Sequence, residues 1–235
     1  MATKLDVLAF GAHPDDVELG CGATIAKHVS VGKKVGIIDL TRGELGTRGT
    51  AEIRDLEAAK SAEILGVELR KNMNYKDGFF TNDETHQLEL VKVIREHQPN
   101  IVLCNALYDR HPDHSKGSQL VSTACFLAGL RKIETGQEAW RPKAVYHYIQ
   151  FKNINPDFVI DVSNFIDQKV EAVKAFSSQF YNPDSNEPDT IISSQGFLDS
   201  VRYRAADLGR LSGVDYAEGF TVEKPPIVNF LEELT

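Results

Sequence analysis

The stretch Leu5-Asp-Val-Leu-Ala-Phe-Gly-Ala-His-Pro-Asp-Asp16 joins a short apolar run to a turn that carries three ionisable side chains. An apolar run of this length is typical of a buried strand, and the residues over 22–31 favour a helix. The stretch therefore predicts a strand, a loop and a helix in that order. The same order recurs three times along the chain, with strands over 34–40, 69–74 and 101–104 and helices over 51–65, 84–97 and 114–130.

Four successive strand and helix units predict an α/β fold with a mostly parallel sheet that helices cover on both faces. The common doubly wound strand order, 3-2-1-4-5-6, places strands one and four side by side. We find no repeat and no boundary, so residues 1–235 are expected to form a single domain, with a motif-bearing half over about 1–130 and a more irregular part over about 131–235. In that second part we expect strands over 144–151 and 158–162, helices over 165–176 and 197–211, and an exposed loop over 181–189.

The composition argues against several classes of partner and location. The 34 acidic residues outnumber the 26 basic ones and give a formal net charge of −8, which argues against nucleic acid or an anionic membrane as the partner. No segment approaches the ~20 consecutive apolar residues that a membrane-spanning helix requires. The three cysteines, Cys21, Cys104 and Cys125, are odd in number and widely spaced, which argues against a disulfide framework. We therefore expect a cytoplasmic protein.

A second motif, His111-Pro-Asp-His114, repeats the His-Pro-Asp tripeptide of residues 13–15. One copy follows the first predicted strand, and the other follows the fourth. Because open α/β sheets bind ligands where the carboxyl ends of neighbouring strands meet, we expect the two loops to face each other. Together they bring three histidines and three aspartates, a ligand set that suits a divalent transition metal.

The residue types in these loops predict hydrolysis of an acyl group. His13, Asp16 and His114 would bind a zinc ion and leave one position open for water. Asp15 then remains as a carboxylate beside that water, where a general base is needed. His111, when protonated, could donate a hydrogen bond to the oxygen that becomes negative during the reaction, with Asp113 holding its charge and orientation.

The loop after the second predicted strand, residues 41–50, carries three glycines and leads into a helix with Arg54. Glycine lets the backbone approach a ligand closely, and arginine binds carboxylate and hydroxyl oxygens. Arg141 precedes the strand predicted at residue 144, and it either enters the same pocket or caps its own loop. We expect Arg54, Glu44 and Arg141 to bind the substrate.

At these motifs the chain resembles the PIG-L/LmbE-like N-acetylglucosamine (GlcNAc) deacetylases, zinc enzymes with a Rossmann-like fold that hydrolyse the acetamide of a GlcNAc unit. The resemblance rests on residues 12–16, on residues 111–114 and on the glycine-rich loop with Arg54, and it covers most of residues 5–130. Fe²⁺ accepts the same ligands as Zn²⁺, so the sequence leaves the metal open. The resemblance implies zinc ligands at His13, Asp16 and His114, a general base at Asp15, a charge-stabilising pair at His111 and Asp113, and a substrate contact at Arg54.

The segments 140–142 and 197–213 resemble the bacillithiol-biosynthesis branch of that family. This branch implies N-acetylglucosaminyl malate as the substrate and a homo-oligomer, with a hexamer as one candidate. A GlcNAc unit has no charge, so an anionic aglycone would also account for arginines near the pocket of an acidic chain. The arginines that we expect near the anion are Arg42, Arg48, Arg54, Arg110 and Arg141.

Three other functions remain open at this stage. A general GlcNAc or chitooligosaccharide deacetylase would use the same chemistry without an anionic aglycone. A non-heme Fe(II) oxygenase also uses two histidines and one carboxylate, although it needs neither an extra base nor an oxyanion donor. A non-catalytic metal-binding or nucleotide-binding module on the same fold is the third alternative.

Overall fold

A computed structural model describes residues 3–230 and residue 232. The strands are β1 (Val7–Gly11), β2 (Val35–Thr41), β3 (Leu69–Tyr75), β4 (Ile101–Cys104), β5 (Ala144–Tyr148), β6 (Phe158–Asp161) and β7 (Ala217–Val222). The α-helices are α1 (Asp16–Ser30), α2 (Ala51–Leu65), α3 (Glu84–His97), α4 (Pro112–Ala128), α5 (Ile166–Lys174) and α6 (Gln195–Ser212), with a short 3-10 helix over Ile191–Ser193.

All seven strands join one sheet in the order β3-β2-β1-β4-β5-β7-β6. The five strands from β3 to β5 in this order are parallel to one another, and β7 pairs antiparallel with both β5 and β6. The α/β class and the mostly parallel doubly wound sheet are therefore confirmed, and β1 lies next to β4 as predicted. The far edge departs from the 3-2-1-4-5-6 order because β7 lies between β5 and β6.

Helices cover both faces of the sheet because the central strands are apolar on both sides. Along β1, Leu8 and Phe10 belong to a core with α3 and α4, whereas Val7 and Ala9 belong to a core with α1 and α5. All residues of β1 and β2 are buried, as expected for central strands of a parallel sheet. A third apolar cluster joins α6 to α2 and α5.

Two elements differ from the sequence-based prediction. Helix α1 begins at Asp16 rather than near residue 22, and a kink at Cys21 (φ −144°) divides it, so the prediction found only the second part. Strand β7 was not predicted, because Glu218 and Gly219 interrupt its apolar character. The Glu218 carboxylate accepts the backbone N–H groups of Ala23 and Thr24 at 3.1 and 2.7 Å, just beyond the kink.

The remaining elements lie close to their predicted bounds, and residues 181–189 form no helix or strand. Within the part of the chain that the structure describes, no helix combines the length and the apolar character needed to cross a membrane.

Candidate metal centre

The loops that follow β1 and β4 meet at the carboxyl edge of the sheet, as the sequence predicts. The two strands are parallel neighbours, with Ala9 opposite Leu103. The backbone N–H of Ala12 donates to the side-chain oxygen of Asn105 at 2.9 Å, which ties the two strand ends together. As a result, the ring centroids of His13 and His114 lie 5.7 Å apart.

The turn after β1 has an uncommon backbone conformation at Asp15, whose φ of 113° lies in the left-handed region that non-glycine residues rarely adopt. The backbone N–H of His13 donates to Asp16 Oδ2 at 2.9 Å and closes the turn. This conformation directs the two adjacent carboxylates apart, with Asp16 facing the histidines and Asp15 facing Arg54.

Asp16 lies between His13 and His114 and faces one ring nitrogen of each. Its Oδ2 lies 3.5 Å from His13 Nδ1, and its Oδ1 lies 3.1 Å from His114 Nε2. The side-chain amides of Asn105 and Gln150 donate to the same carboxylate at 3.1 and 2.5 Å. The three predicted metal ligands are therefore buried together and oriented toward one another.

The other ring nitrogen of each histidine faces a second carboxylate. His114 Nδ1 donates to Asp109 Oδ2 at 2.8 Å, and His13 Nε2 lies 3.1 Å from Asp77 Oδ1. Metal-binding histidines have this arrangement, because an outer carboxylate fixes the tautomer and orientation of the ring. Sequence reasoning missed Asp77 and Asp109, whose only signal is that each is an acidic residue in a loop after a parallel strand.

The donor set fits a divalent cation. One ring nitrogen each of His13, His111 and His114 lies within 4.8 Å of the other two, and single donor atoms of His13, Asp77 and Asp113 form a second such group. Burial alone would lower the pKa of His114, but Asp16 and Asp109 raise that pKa to about 9. Burial opposes protonation of His13 too, yet Asp113 and Asp16 raise its pKa well above the usual value. The surrounding carboxylates thus favour a positive charge on each of the two rings. A divalent ion bound between them would supply the same two charges in place of the protons.

Asp15 and Arg54 form a buried ion pair beside the histidines, with Arg54 Nη2 2.9 Å from Asp15 Oδ2. Burial raises the pKa of Asp15 to about 7, although the charge of Arg54 lowers it. A carboxyl group in this range can accept and release a proton near neutral pH. Its position beside the ligands agrees with the predicted general base.

Arg54 lines the cleft, and its guanidinium is also bound by the chain. The guanidinium donates to the carbonyl oxygens of Pro14 and Gly43 at 2.6 and 3.3 Å as well as to Asp15. A Cβ atom at Gly43 would lie 2.0 Å from Arg54 Nη1, so only glycine lets the guanidinium pass. These contacts orient Asp15, and the substrate contact expected at Arg54 stays a prediction.

His111 lies in the cluster, but it does not pair with the Asp113 carboxylate. His111 caps α4, and its Nδ1 accepts the backbone N–H of Asp113 at 3.2 Å. The Asp113 carboxylate instead accepts the N–H of Gly78 at 2.8 Å and lies 2.6 Å from Lys116 Nζ. Burial and the charges of the neighbouring histidines lower the pKa of His111 to about 4. The Asp113 carboxylate therefore does not hold the His111 ring as expected, and because Nδ1 accepts an N–H, the proton of a neutral ring would lie on Nε2.

Two predicted substrate contacts lie elsewhere. Arg141 stacks on the Phe126 ring at 4.4 Å and donates to the Phe126 carbonyl at 2.7 Å. It precedes β5, which is parallel to β4, so it lies at the opposite edge of the sheet from the site. Glu44 is exposed and accepts the backbone N–H of Asp77 at 2.8 Å, which supports the outer carboxylate of His13.

A cleft of about 1170 Å³ opens beside the cluster. Its lining includes His13, Asp15 and His111, together with residues of α6 such as Arg204 and Leu208. This volume exceeds the ~300–1,000 Å³ typical of small-molecule sites. The cleft therefore has room for a ligand that extends well beyond the metal-binding residues.

Comparisons with known proteins find similar chains that are named as deacetylases. The family model described as PIG-L, GlcNAc-PI de-N-acetylase, matches residues 8–125. A diacetylchitobiose deacetylase of Thermococcus kodakarensis is 32% identical over 229 residues, covering 91% of this chain and 81% of the relative.

Two solved structures are similar over nearly the whole chain. The conserved protein TT1542 of Thermus thermophilus has a TM-score of 0.87 at 37% identity, covering 95% of this chain and 97% of that one. An N,N'-diacetylchitobiose deacetylase of Pyrococcus horikoshii, solved with an inhibitor, has a TM-score of 0.80 at 27% identity, covering 99% and 89% of the two chains.

Proposed function

The chain belongs to the PIG-L family, and on that premise we propose that it is a metal-dependent deacetylase that hydrolyses the acetamide of an N-acetylglucosaminyl compound. The products are acetate and the free amine. The observation that carries the proposal is the position of Asp16 between the inner ring nitrogens of His13 and His114, with Asp15 beside them. A set of metal ligands with an adjacent base is what metal-dependent amide hydrolysis uses.

The metal is Zn²⁺ in this proposal, held by His13, Asp16 and His114, and Fe²⁺ would accept the same ligands. When bound, the ion polarises the acetamide carbonyl and lowers the pKa of water. Asp109 contacts the outer nitrogen of His114, and Asp77 contacts the outer nitrogen of His13, so the other nitrogen of each ring faces the metal position. Asn105 and Gln150 do the same for the Asp16 carboxylate.

Asp15 acts as the general base. It takes a proton from the water that attacks the carbonyl carbon, and returns a proton to the nitrogen as the C–N bond breaks. Arg54 holds the Asp15 carboxylate in place and limits how far burial raises its pKa. The left-handed backbone at residue 15 keeps this carboxylate away from the metal-binding oxygens of Asp16.

His111 stabilises the oxygen that becomes negative when water attacks. Its Nδ1 is occupied by the N–H of Asp113, so a neutral ring has its proton on Nε2 and can donate it as a hydrogen bond. Asp113 contributes through this backbone contact, while its carboxylate lies 3.4 Å from His13 Nε2 and steadies that ligand.

For the substrate we favour a GlcNAc glycoside with an anionic aglycone, N-acetylglucosaminyl malate of bacillithiol biosynthesis being the candidate. The volume of the cleft supports an extended aglycone, and the Arg110 guanidinium on its lining, which no acidic side chain of the described residues contacts, supports a charge on it. A chitooligosaccharide is the second candidate, because two of the relatives are named as diacetylchitobiose deacetylases.

We also propose a cytoplasmic homo-oligomer. The three cysteines are free and buried, which agrees with a reducing compartment. Large apolar side chains of Leu45, Phe79 and Ile191 are more than 60% exposed, as surfaces that bind a second subunit often are.

Acetate release and metal content, measured on one preparation, test the proposed function. We expect acetate from N-acetylglucosaminyl malate, loss of activity after chelation, and recovery with Zn²⁺ or Fe²⁺. Oxygen consumption without acetate would indicate an Fe(II) oxygenase instead. Metal binding with neither reaction would indicate a non-catalytic module.

A further inference from the structure

Arg204 is a half-buried arginine on the wall of the cleft formed by α6. Among the residues that the structure describes, no hydrogen-bond, ion-pair or ring partner of its guanidinium is found. Burial lowers the pKa of Arg204, with only the more distant charge of Asp109 opposing this. Removing water from a charged guanidinium costs free energy unless a partner replaces the lost hydrogen bonds. This suggests that a bound ligand is the partner of Arg204.

Asp109 cannot serve as that partner, because its carboxylate is already saturated. One oxygen accepts the backbone N–H groups of Arg110 and Lys152 at 2.8 and 2.9 Å. The other accepts His114 Nδ1 at 2.8 Å and the backbone N–H of Phe151 at 3.4 Å. The charge of Asp109 therefore acts on Arg204 without a direct contact.

Arg110, an exposed residue of the loop after β4, also lines the cleft. It stacks on the Phe151 ring at 4.8 Å, and no acidic side chain contacts it in the described part of the chain. The other arginines expected to meet an anion are occupied. Arg42 pairs with Asp55 at 2.5 Å, Arg48 donates to the Ser178 carbonyl at 2.8 Å, and Arg54 and Arg141 bind the groups given above.

The other charged groups along this part of the cleft largely cancel one another. Lys169 Nζ lies 2.6 Å from Glu218 Oε1, and Asp207 pairs with Arg210 at 2.8 Å. Asp189 is exposed at the rim. Among the described residues that line the cleft, Arg204 and Arg110 are therefore the arginines without a paired acidic side chain, since Arg48 pairs with Glu187 and Arg54 with Asp15.

We propose that Arg204 and Arg110, which both line the cleft, form a subsite for an anionic group of the substrate, either a carboxylate or a phosphate on the aglycone. The inference rests on the proposed function, because it assumes that the acetamide lies at the histidines. It assigns the recognition of the anion to α6, rather than to the glycine-rich loop over 41–50. Guanidinium binds both kinds of anion through paired N–H groups, so the chemistry is shared and the experiment must separate them.

Binding of malate and of inorganic phosphate to the metal-loaded protein, measured by calorimetry, tests the subsite without catalysis. We expect Arg204→Gln to weaken binding of one of the two anions roughly 10- to 100-fold, the scale of a hydrogen bond to a charged group. Arg202→Gln is the matched control on the same helix, since Arg202 pairs with Asp167 and does not line the cleft. A larger effect on malate identifies a carboxylate, and a larger effect on phosphate identifies a phosphate group. Equal affinities in Arg204→Gln and the control would overturn the proposal.

Kinetics on two glycosides provide the second test. We expect Arg204→Gln to lower kcat/KM for N-acetylglucosaminyl malate at least tenfold more than for methyl N-acetylglucosaminide, mainly through KM, with Arg204→Lys intermediate. Equal losses on both glycosides would contradict a subsite for the aglycone. A change in sedimentation mass would mean that Arg204 pairs with a second copy, which would also overturn it. If no acetate forms on either glycoside while Arg204 still determines anion binding, the proposed function fails and the subsite stands.

Discussion

The two walls of the cleft differ in how completely their charged groups are paired. On the metal wall, formed by His13, Asp15, Asp16, His111 and His114, each ionisable side chain has a partner in the chain. On the α6 wall, formed by Tyr203, Arg204, Asp207 and Leu208, Arg204 has none in the described residues, and Tyr203 is 67% exposed. Side chains that take part in the reaction need one fixed geometry, which partners in the chain provide. Side chains that recognise a substrate can lack such a partner in the free protein, because the substrate supplies it. The comparison assigns reaction to the first wall and substrate choice to the second.

The largest effect is expected at Asp15, which the comparison treats as chemistry alone. Asp15→Asn preserves size but cannot accept the proton, so kcat should fall about 10²–10⁴-fold while the bound metal is retained. Acetate release and elemental analysis on the same sample check this. If Asp15→Asn loses the metal together with the activity, Asp15 is a metal ligand. The separation of the general base, Asp15, from the metal ligand, Asp16, would then be wrong.

His111→Ala should have the next largest effect. Removing one hydrogen-bond donor to a developing oxyanion costs about 2.7–4 kcal/mol in the transition state, so kcat should fall by two to three orders of magnitude with the metal retained. Because the ring nitrogens of His111, His13 and His114 are close, metal content is the discriminating measurement. A metal-free variant would show that three histidines bind the ion, and an effect on KM alone would move His111 to substrate binding.

Asp109→Asn tests whether the outer carboxylates belong to the metal wall. Loss of the charge that holds His114 Nδ1 should weaken metal affinity roughly 10- to 100-fold, without abolishing binding. Competition with a chelator measures this affinity. The control is Asp83→Asn, at the exposed N-terminus of α3, which should leave metal affinity as it is. An affinity equal to that of the control would remove Asp109 from the site.

Arg210→Ala should have the smallest effect. The pair of Arg210 with Asp207 is exposed on both sides, and such pairs contribute about 0–1 kcal/mol to stability. Urea unfolding should show a change within that range, with kcat unaltered. A clearly larger loss in the free energy of unfolding would mean that the Arg210–Asp207 pair helps to hold α6 in place, which would contradict the prediction.

Much of the metal wall could be predicted from the sequence, because its groups lie next to the strands that position them. His13, Asp15 and Asp16 follow β1 within a few residues, and His111 and His114 follow β4. Parallel strand order alone then brings the two loops together. Single acidic residues such as Asp77 and Asp109 carry no spacing pattern, and their role depends on contacts made across the fold.

The errors in the fold have a similar cause. The start of α1 was missed because a left-handed Asp15 and a kink at Cys21 interrupt the helical pattern. Strand β7 was missed because Glu218 looks exposed in sequence, although it is buried against the N–H groups that the kink frees. Arg204 lies on a helix with other charged residues, which in sequence is indistinguishable from a solvated face.

The central claim is that His13, Asp16 and His114 hold the metal on which deacetylation depends. Metal content and acetate release of His114→Ala, compared with His28→Ala as a control, test it most directly, because His28 lies on α1 outside the lining of the cleft and its ring contacts the Thr24 carbonyl at 2.8 Å. We expect His114→Ala to lose metal and activity together, and His28→Ala to keep both. Full metal occupancy in His114→Ala would contradict the account.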